Sequence, residues 1–355
     1  MTRETYLSKL RDALRHLNPQ EQDAAVEFCE EMIMERMDSG MTEEEAVAAM
    51  EAPALMAEKL AVEIRQPEPP AEPAQPENAD PNRWQKMQLT CEGSRLNHID
   101  LQAGNFPIQV LLSRDDQVRL TYYTRPRNVY EAKLEGDLLS LREVSQEKKG
   151  FFSFVFNFDL GTLPRPEIIL EVPENLMVNL KAITRNGGIT LTGPQMLMHV
   201  ELGTTNGGMA VRNVKCISLN AHTTNGGVAA EQVETRGELF LRTTNGGVAA
   251  SRCHSQAGLI LKTTNGGMAI SQSTAGGEMN ISSTNGSIKL DNVDAPRLSL
   301  RTTNAAISGT VAGPQSAWQI DSYTTNGKNS LPHHQDGSKP LSVHTTNASI
   351  RVTFC

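Results

Sequence analysis

The chain has 355 residues, a formal net charge of −8, 38% hydrophobic residues and only 5% aromatic ones. So few aromatics exclude one large conventional core, and the length predicts two or more domains, with a narrow core of Val, Ile, Leu, Met and Thr in the larger. The charge is split: residues 1–65 hold fifteen acids and seven bases, residues 66–80 four acids and no base, and residues 81–355 hold 22 acids and 26 bases, so an acidic head precedes a mildly basic body.

Residues 1–65 read as a small all-α domain. Tyr6, Leu7, Leu10, Ala13, Leu14 and Leu17 recur at helical spacing. Asn18-Pro19 marks a stop and a new start, with proline at the first helical position. A second helix carries Val26, Phe28, Cys29, Met32, Ile33 and Met37 and ends near Gly40. Thr42-Glu43-Glu44-Glu45 is a capping box for a short third helix, and its glutamates suit the positive end of the helix dipole. Pro53 opens a fourth helix. Residues 66–82 hold six prolines in seventeen positions and predict an extended, semi-stiff linker.

From Leu96 onward the pattern alternates as in strands: Val110 and Leu112, then Val118, Leu120 and Tyr122, then Leu139 and Leu141. Phe151, Phe152, Phe154, Phe156 and Phe158 then place five of the nine phenylalanines in eight positions. A repeat begins at about residue 184. Asn186, Asn206, Asn225, Asn245, Asn265, Asn285, Asn304, Asn326 and Asn347 follow one another at intervals of 19 to 22 residues, most within Thr-Thr-Asn-Gly. A fixed period of this size means stacked units. The fold class expected for residues 83–355 is therefore mainly β, a β-solenoid (parallel β-helix) of ~20-residue rungs.

Aligning rungs on the asparagine separates inward from outward columns. The position four before it (Leu202, Ala221, Leu241, Leu261, Ile281, Leu300, Ser322, Val343) is apolar but for Ser322. The position three after it (Met209, Val228, Val248, Met268, Ile288, Ile307, Asn329, Ile350) is apolar but for Asn329. Both columns are expected inside, with the first Thr of each motif. The nine asparagines are expected to form an interior ladder, with the glycine after them relieving positive φ and letting rungs approach closely. The rival reading is an antiparallel meander, because Asn-Gly is also a hairpin signal and Gly237, Gly258 and Gly276 mark a second turn half a period later. Parallel stacking is preferred because only there do identical Thr and Asn side chains meet at ~4.8 Å.

Cys29, Cys91, Cys216, Cys253 and Cys355 are scattered, without CxxC spacing, so neither a disulfide framework nor a zinc site is expected. The first residues lack an apolar leader, and no run approaches the ~18 apolar residues of a membrane span. The expected location is cytoplasmic, with peripheral envelope association left open.

The Thr-Thr-Asn-Gly-Gly rungs, with the Leu-Pro-Arg-Pro-Glu-Ile-Ile-Leu-Glu-Val-Pro lead-in at 163–173, resemble the bacterial "putative adhesin" β-helix family over about 96–353. The head, with Tyr6-Leu7-Ser8-Lys9-Leu10, Met41-Thr42-Glu43-Glu44-Glu45-Ala46 and Ala52-Pro53, resembles the helical HAAS-type signalling domain over about 1–65. The resemblance implies envelope-associated binding or stress signalling and brings no catalytic residues. Proteins of the HAAS type commonly continue into membrane helices, and this sequence has none.

Two candidate sites emerge. The outward position three before the asparagine reads Gly203, His222, Arg242, Lys262, Ser282, Arg301, Tyr323 and His344. It is either a solvated face or an anion-binding ridge of His222, Arg242, Lys262, Arg301 and His344. The phenylalanine cluster is either a cap over the solenoid end or an apolar patch. Ala210, Ala229, Ala249 and Ala269 form a third, small-residue stripe.

No column accumulates carboxylates, and no GxSxG, HExxH or Walker-type motif occurs. His333-His334 with His344 read as loop rather than metal site. The expectation is a non-enzymatic scaffold without cofactor, metal or nucleic acid. The solenoid would bind an anionic envelope polymer, a lipid surface or a protein partner, and the head would regulate it, docking on the ridge until a ligand displaces it. The alternatives are a self-assembling adhesive protein joined through solenoid ends and, less favoured, a polysaccharide-active β-helix.

Overall fold

The computed structural model describes residues 1–17, 19–38, 41–64, 84–125, 129–144, 166–193, 196–332 and 336–355. The Pro-rich linker, Phe151 to Phe158 and His333-His334 lie outside them.

The head is four helices: α1 Arg3–Ala13, α2 Pro19–Asp38, α3 Glu43–Ala48 and α4 Pro53–Ile64. Thr2 caps α1 by accepting from the Thr5 N–H, and Thr42 and Glu45 make the reciprocal capping box of α3. Tyr6, Leu10, Leu14, Cys29, Ile33, Ala46 and Leu60 fill the core between the helices. The Tyr6 hydroxyl donates to the Glu51 carbonyl at 2.8 Å, which lets a phenol be buried.

The body is a parallel solenoid whose rungs have three sides. In one rung, Leu239–Arg242, Val248–Ser251 and His254–Ser255 are separated by three corners. Each strand pairs in parallel with its counterpart one rung away. Leu241 lies on Leu261, Val248 on Met268 and Ser255 on Ala275. Alternate residues therefore repeat in files. Leu241, Leu261 and Ile281 on the first side, and Val228, Val248 and Met268 on the second, are buried in one continuous core. The glycine turns at Gly237 and Gly258 that allowed a meander are the third corner of a parallel rung.

The Thr-Thr-Asn-Gly corner works through its first threonine. Thr243 Oγ1 accepts the N–H of Gly246 at 3.2 Å and donates to the Gly226 carbonyl of the adjacent rung at 2.7 Å. Gly246 itself is packed backbone to backbone, since a β-carbon there would sit 1.9 Å from the Gly226 oxygen. Positive φ, expected for these glycines, is not their reason, because none of the motif glycines has it. Close rung approach alone requires them.

The remaining corner carries the positive φ. Asn213, Gln232, Arg252, Gln272 and Asn292, one per rung, lie at φ between 46° and 54°. A β-carbon in this region costs roughly 1–2 kcal/mol, which glycine avoids. Gln232→Gly and Gln272→Gly, both exposed, should each raise stability by about 0.5–1 kcal/mol after glycine's own entropic cost. Thermal unfolding checks this, with alanine at the same positions giving no gain.

The two ends differ. At the N-terminal end His98–Ala103 and Ile108–Leu112 form a rung below Asn179–Thr184 and Ile189–Thr192, and Leu138–Val144 and Ile168–Val172 pair in parallel with them one layer further out. Antiparallel strands then close that end: Gln117–Thr124 on Ile168–Val172, Gln85–Glu92 on Gln117–Thr124, and Val129–Glu135 on Leu138–Val144. At the C-terminal end the rungs leave chain order. Lys339–Thr345 pairs with Arg297–Arg301 on one side and Trp318–Thr324 on the other. The last stretch of chain is inserted, and residues 318–330 form the outermost rung. Ser322 and Asn329, the exceptions in the apolar columns, belong to that rung, where Asn329 Nδ2 bonds Ser322 Oγ at 2.8 Å.

Candidate binding face of the solenoid

Strand register places the five ridge residues in one file. His222 pairs with Arg242, Arg242 with Lys262, Lys262 with Ser282, Ser282 with Arg301, and Arg301 with His344. At ~4.8 Å per rung the file runs roughly 24 Å. Arg242, Lys262 and Arg301 are exposed, while His222 and His344 are half-buried.

The electrostatics of this file differ from those of its neighbours. Several cations elsewhere on the body pair across rungs: Lys181 with Glu201 at 3.0 Å, Lys215 with Glu234 at 3.2 Å and Lys339 with Asp294 at 2.7 Å. Among the described residues no carboxylate pairs with Arg242, Lys262 or Arg301. A carboxylate meets the file at its end, where Asp321 Oδ2 lies 3.2 Å from His344 Nε2. At the other end Gly203 makes room for the imidazole, since a β-carbon there would lie 2.9 Å from His222 Cε1. The next outward column holds Phe240 and Ile260 beside the cations, with Lys262 Nζ 6.0 Å from the centre of the Phe240 ring.

The repeated asparagines lie on the outer corner beside this file, exposed to solvent, not in the interior where the sequence reading puts them. The first threonine of each motif turns in to reach backbone, so the asparagine two residues later turns out. Their amides form one directed chain: Asn206 Nδ2 donates to Asn186 Oδ1, and Asn225, Asn245, Asn265, Asn285 and Asn304 each donate to the one before, at 2.6–2.7 Å. Asn347 donates to Asn304 and Asn326 to Asn347. Asn186 donates to Asn105, a tenth member that the repeat pattern does not reveal.

Two further surfaces belong to the body. Ala210, Ala229, Ala249 and Ala269 line a groove of about 720 Å³ on the second side. A polar groove of about 430 Å³ lies on the first side near the N-terminal end, lined by His98, Asn179, Lys181, His199, Glu201 and Ser218. Sequence reasoning missed it, although its members recur at the outward positions of successive first-side strands. Burial pushes the Cys216 thiol up to about 12 and the Cys253 thiol to about 11, so neither supplies a thiolate at neutral pH. Among the described residues no group of three or more His, Cys, Asp or Glu side chains is placed to hold a metal ion, and no helix is long and apolar enough to cross a membrane.

The family profile described as Toastrack DUF4097 matches residues 96–353, and the one described as HAAS matches residues 5–59. No curated protein matches. Among solved structures, the chain is similar to a "putative adhesin" from Bacteroides fragilis at 12% identity, covering 76% of this chain and 97% of that one with a TM-score of 0.31. It is similar to a "putative cell adhesion protein" from Clostridium sporogenes at 9% identity, covering 77% and 100% with a TM-score of 0.23. A "putative adhesin" from Parabacteroides distasonis shares 10% identity over 76% and 97% with a TM-score of 0.26.

Proposed function

Given that the chain belongs to the Toastrack DUF4097 family, we propose that it is a non-catalytic binding scaffold whose basic file takes an extended polyanion, an anionic envelope polymer. The supporting observation is the run of Arg242, Lys262 and Arg301 on successive and near-successive rungs, with no carboxylate paired to them among the described residues. Like charges stacked in a file repel one another, and a chain of phosphates or carboxylates laid along it removes that repulsion while gaining charge-assisted hydrogen bonds. A narrow file suits a linear polymer better than a membrane plane. Phe240 and Ile260 beside it offer an apolar strip for the carbon skeleton of the repeating unit.

The test is binding of the whole chain to a phosphodiester-linked glycopolymer, with anionic liposomes as the second arm. Arg242→Glu, Lys262→Glu and Arg301→Glu together should weaken polymer binding at least about a hundredfold, at ~1.5 kcal/mol or more for each charge-assisted hydrogen bond removed. Binding should also fall steeply with salt. Polymer binding unchanged by the triple reversal, or binding to liposomes alone, would overturn the reading.

A further inference from the structure

Among the described residues, the outermost rung at the C-terminal end of the solenoid is paired on one side only. Trp318–Thr324 pairs with Lys339–Thr345 on one side and, among the described residues, with no strand on the other. The core beneath is sealed, since Trp318 is fully buried and Leu331 nearly so. Among the described residues, the stretch around Tyr323 and Thr324 offers backbone N–H and C=O groups on that side to a further strand.

This outermost rung keeps the stacking motif. Thr324-Thr325-Asn326-Gly327 form the same corner as the inner rungs, and Asn326 Nδ2 donates inward to Asn347 at 2.8 Å. Its Oδ1 faces the open side and receives no donor among the described residues. Beside it stands Tyr323, 59% exposed, whose hydroxyl oxygen accepts from Thr325 Oγ1 at 3.4 Å, leaving its own O–H to donate. The opposite end of the solenoid presents no matching rung, because antiparallel strands close it. Stacking of open end on closed end therefore has no register to follow.

We infer that the open rung is a self-complementary interface through which two copies join end to end about a two-fold axis at the Thr-Thr-Asn-Gly corner. Such an axis lays the strand entering the corner in one copy antiparallel to the strand leaving it in the other. The charges agree with this pairing. The entering strand has Asp321 as its one charge, 70% exposed although its Oδ2 also lies 3.2 Å from His344 Nε2, and the leaving segment, residues 325–332, has Lys328. Each acid thus meets the other copy's base, and each Tyr323 hydroxyl comes to the corner where Asn326 Oδ1 needs a donor. The interface continues outside the chain the rung-on-rung stacking within it.

Light scattering after size exclusion should give twice the 38.8 kDa mass of the chain. Lys328→Asp changes an exposed side chain and should shift the chain to monomer, raising the dissociation constant at least tenfold, with circular dichroism unchanged. Adding Asp321→Lys to that variant should restore the dimer. A wild-type monomer at every concentration, a dimer that Lys328→Asp leaves intact, or a double reversal that stays monomeric would each overturn the inference.

Discussion

Gly266→Ala is expected to lower the stability of the solenoid by about 3 kcal/mol or more, while Gly267→Ala, one residue on, leaves it unchanged or raises it by up to about 1 kcal/mol. The two glycines share a motif but not a reason. A β-carbon at Gly266 would lie 1.8 Å from the carbonyl oxygen of Gly246, which is backbone and cannot rotate away. The rungs must separate there, which stretches the hydrogen bond that Asn265 Nδ2 donates to Asn245 Oδ1 and loosens the packing of the core below. At Gly267 the nearest atom is Ser287 Oγ at 3.6 Å, and φ is not positive. A methyl fits, and the unfolded chain loses freedom. The natural sequence follows the same division: the second position already holds Ser287, Ala306 and Ser349. The first holds alanine only at Ala305 and Ala348, on directly stacked rungs beside the end of the solenoid. A displacement there passes through one or two rungs, whereas at Gly266 it meets a stack on both sides. Urea unfolding of the two variants beside wild type measures the contrast. Equal effects of the two substitutions would rule out rung spacing as the cause.

The parallel rung was legible because identical residues recur in columns, and columns of identical residues gain only when rungs stack directly. The corner at Gln232, Arg252 and Gln272 was not legible. It demands a left-handed backbone but no shared side chain, and Gln and Arg give no sign of that conformation. Asn105 escaped because it stands 81 positions before Asn186, far outside the period of the repeat, and because Phe106-Pro107 follow it in place of glycines. The reversed order of the last rungs left a trace that intervals hid. The spacing from Asn304 to Asn326 and Asn347 stays near the period, yet Ser322 and Asn329 put polar groups where every inner rung is apolar. Polar residues at core positions are what a terminal rung needs, so the columns held the information that the spacing concealed.

The basic file was legible as a column of residues, since strand parity and rung register fix which side chains share it. Its isolation from carboxylates was not, because ion pairing depends on columns two residues away and on side-chain reach. The outward placement of the asparagines was lost for a related reason: parity counting carries an alternation through the corner, where the chain turns within the motif and the alternation stops.

Thr243→Val should cost about 3 kcal/mol, and Thr243→Ser less than about 1 kcal/mol. Valine keeps the shape but removes the hydroxyl, with its hydrogen bonds to Gly246 and Gly226 and a longer one to the Thr224 carbonyl, from a side chain that is 2% exposed. The Gly246 N–H and the Gly226 carbonyl then lose partners, at roughly 1–3 kcal/mol for each buried group left unpaired. Serine keeps the hydroxyl and gives up one methyl. The chain already contains this substitution at Ser283, whose Oγ accepts from the Gly286 N–H at 2.9 Å. Because each rung touches only its neighbours, the loss from valine is local before it is global. Amide exchange should therefore accelerate first at Gly246 and in the strands of the rungs holding Asn225 and Asn245, with distant rungs protected. If valine and serine proved equally costly, the threonine would act through its packing, and the hydroxyl bridge between rungs would not be what fixes their spacing.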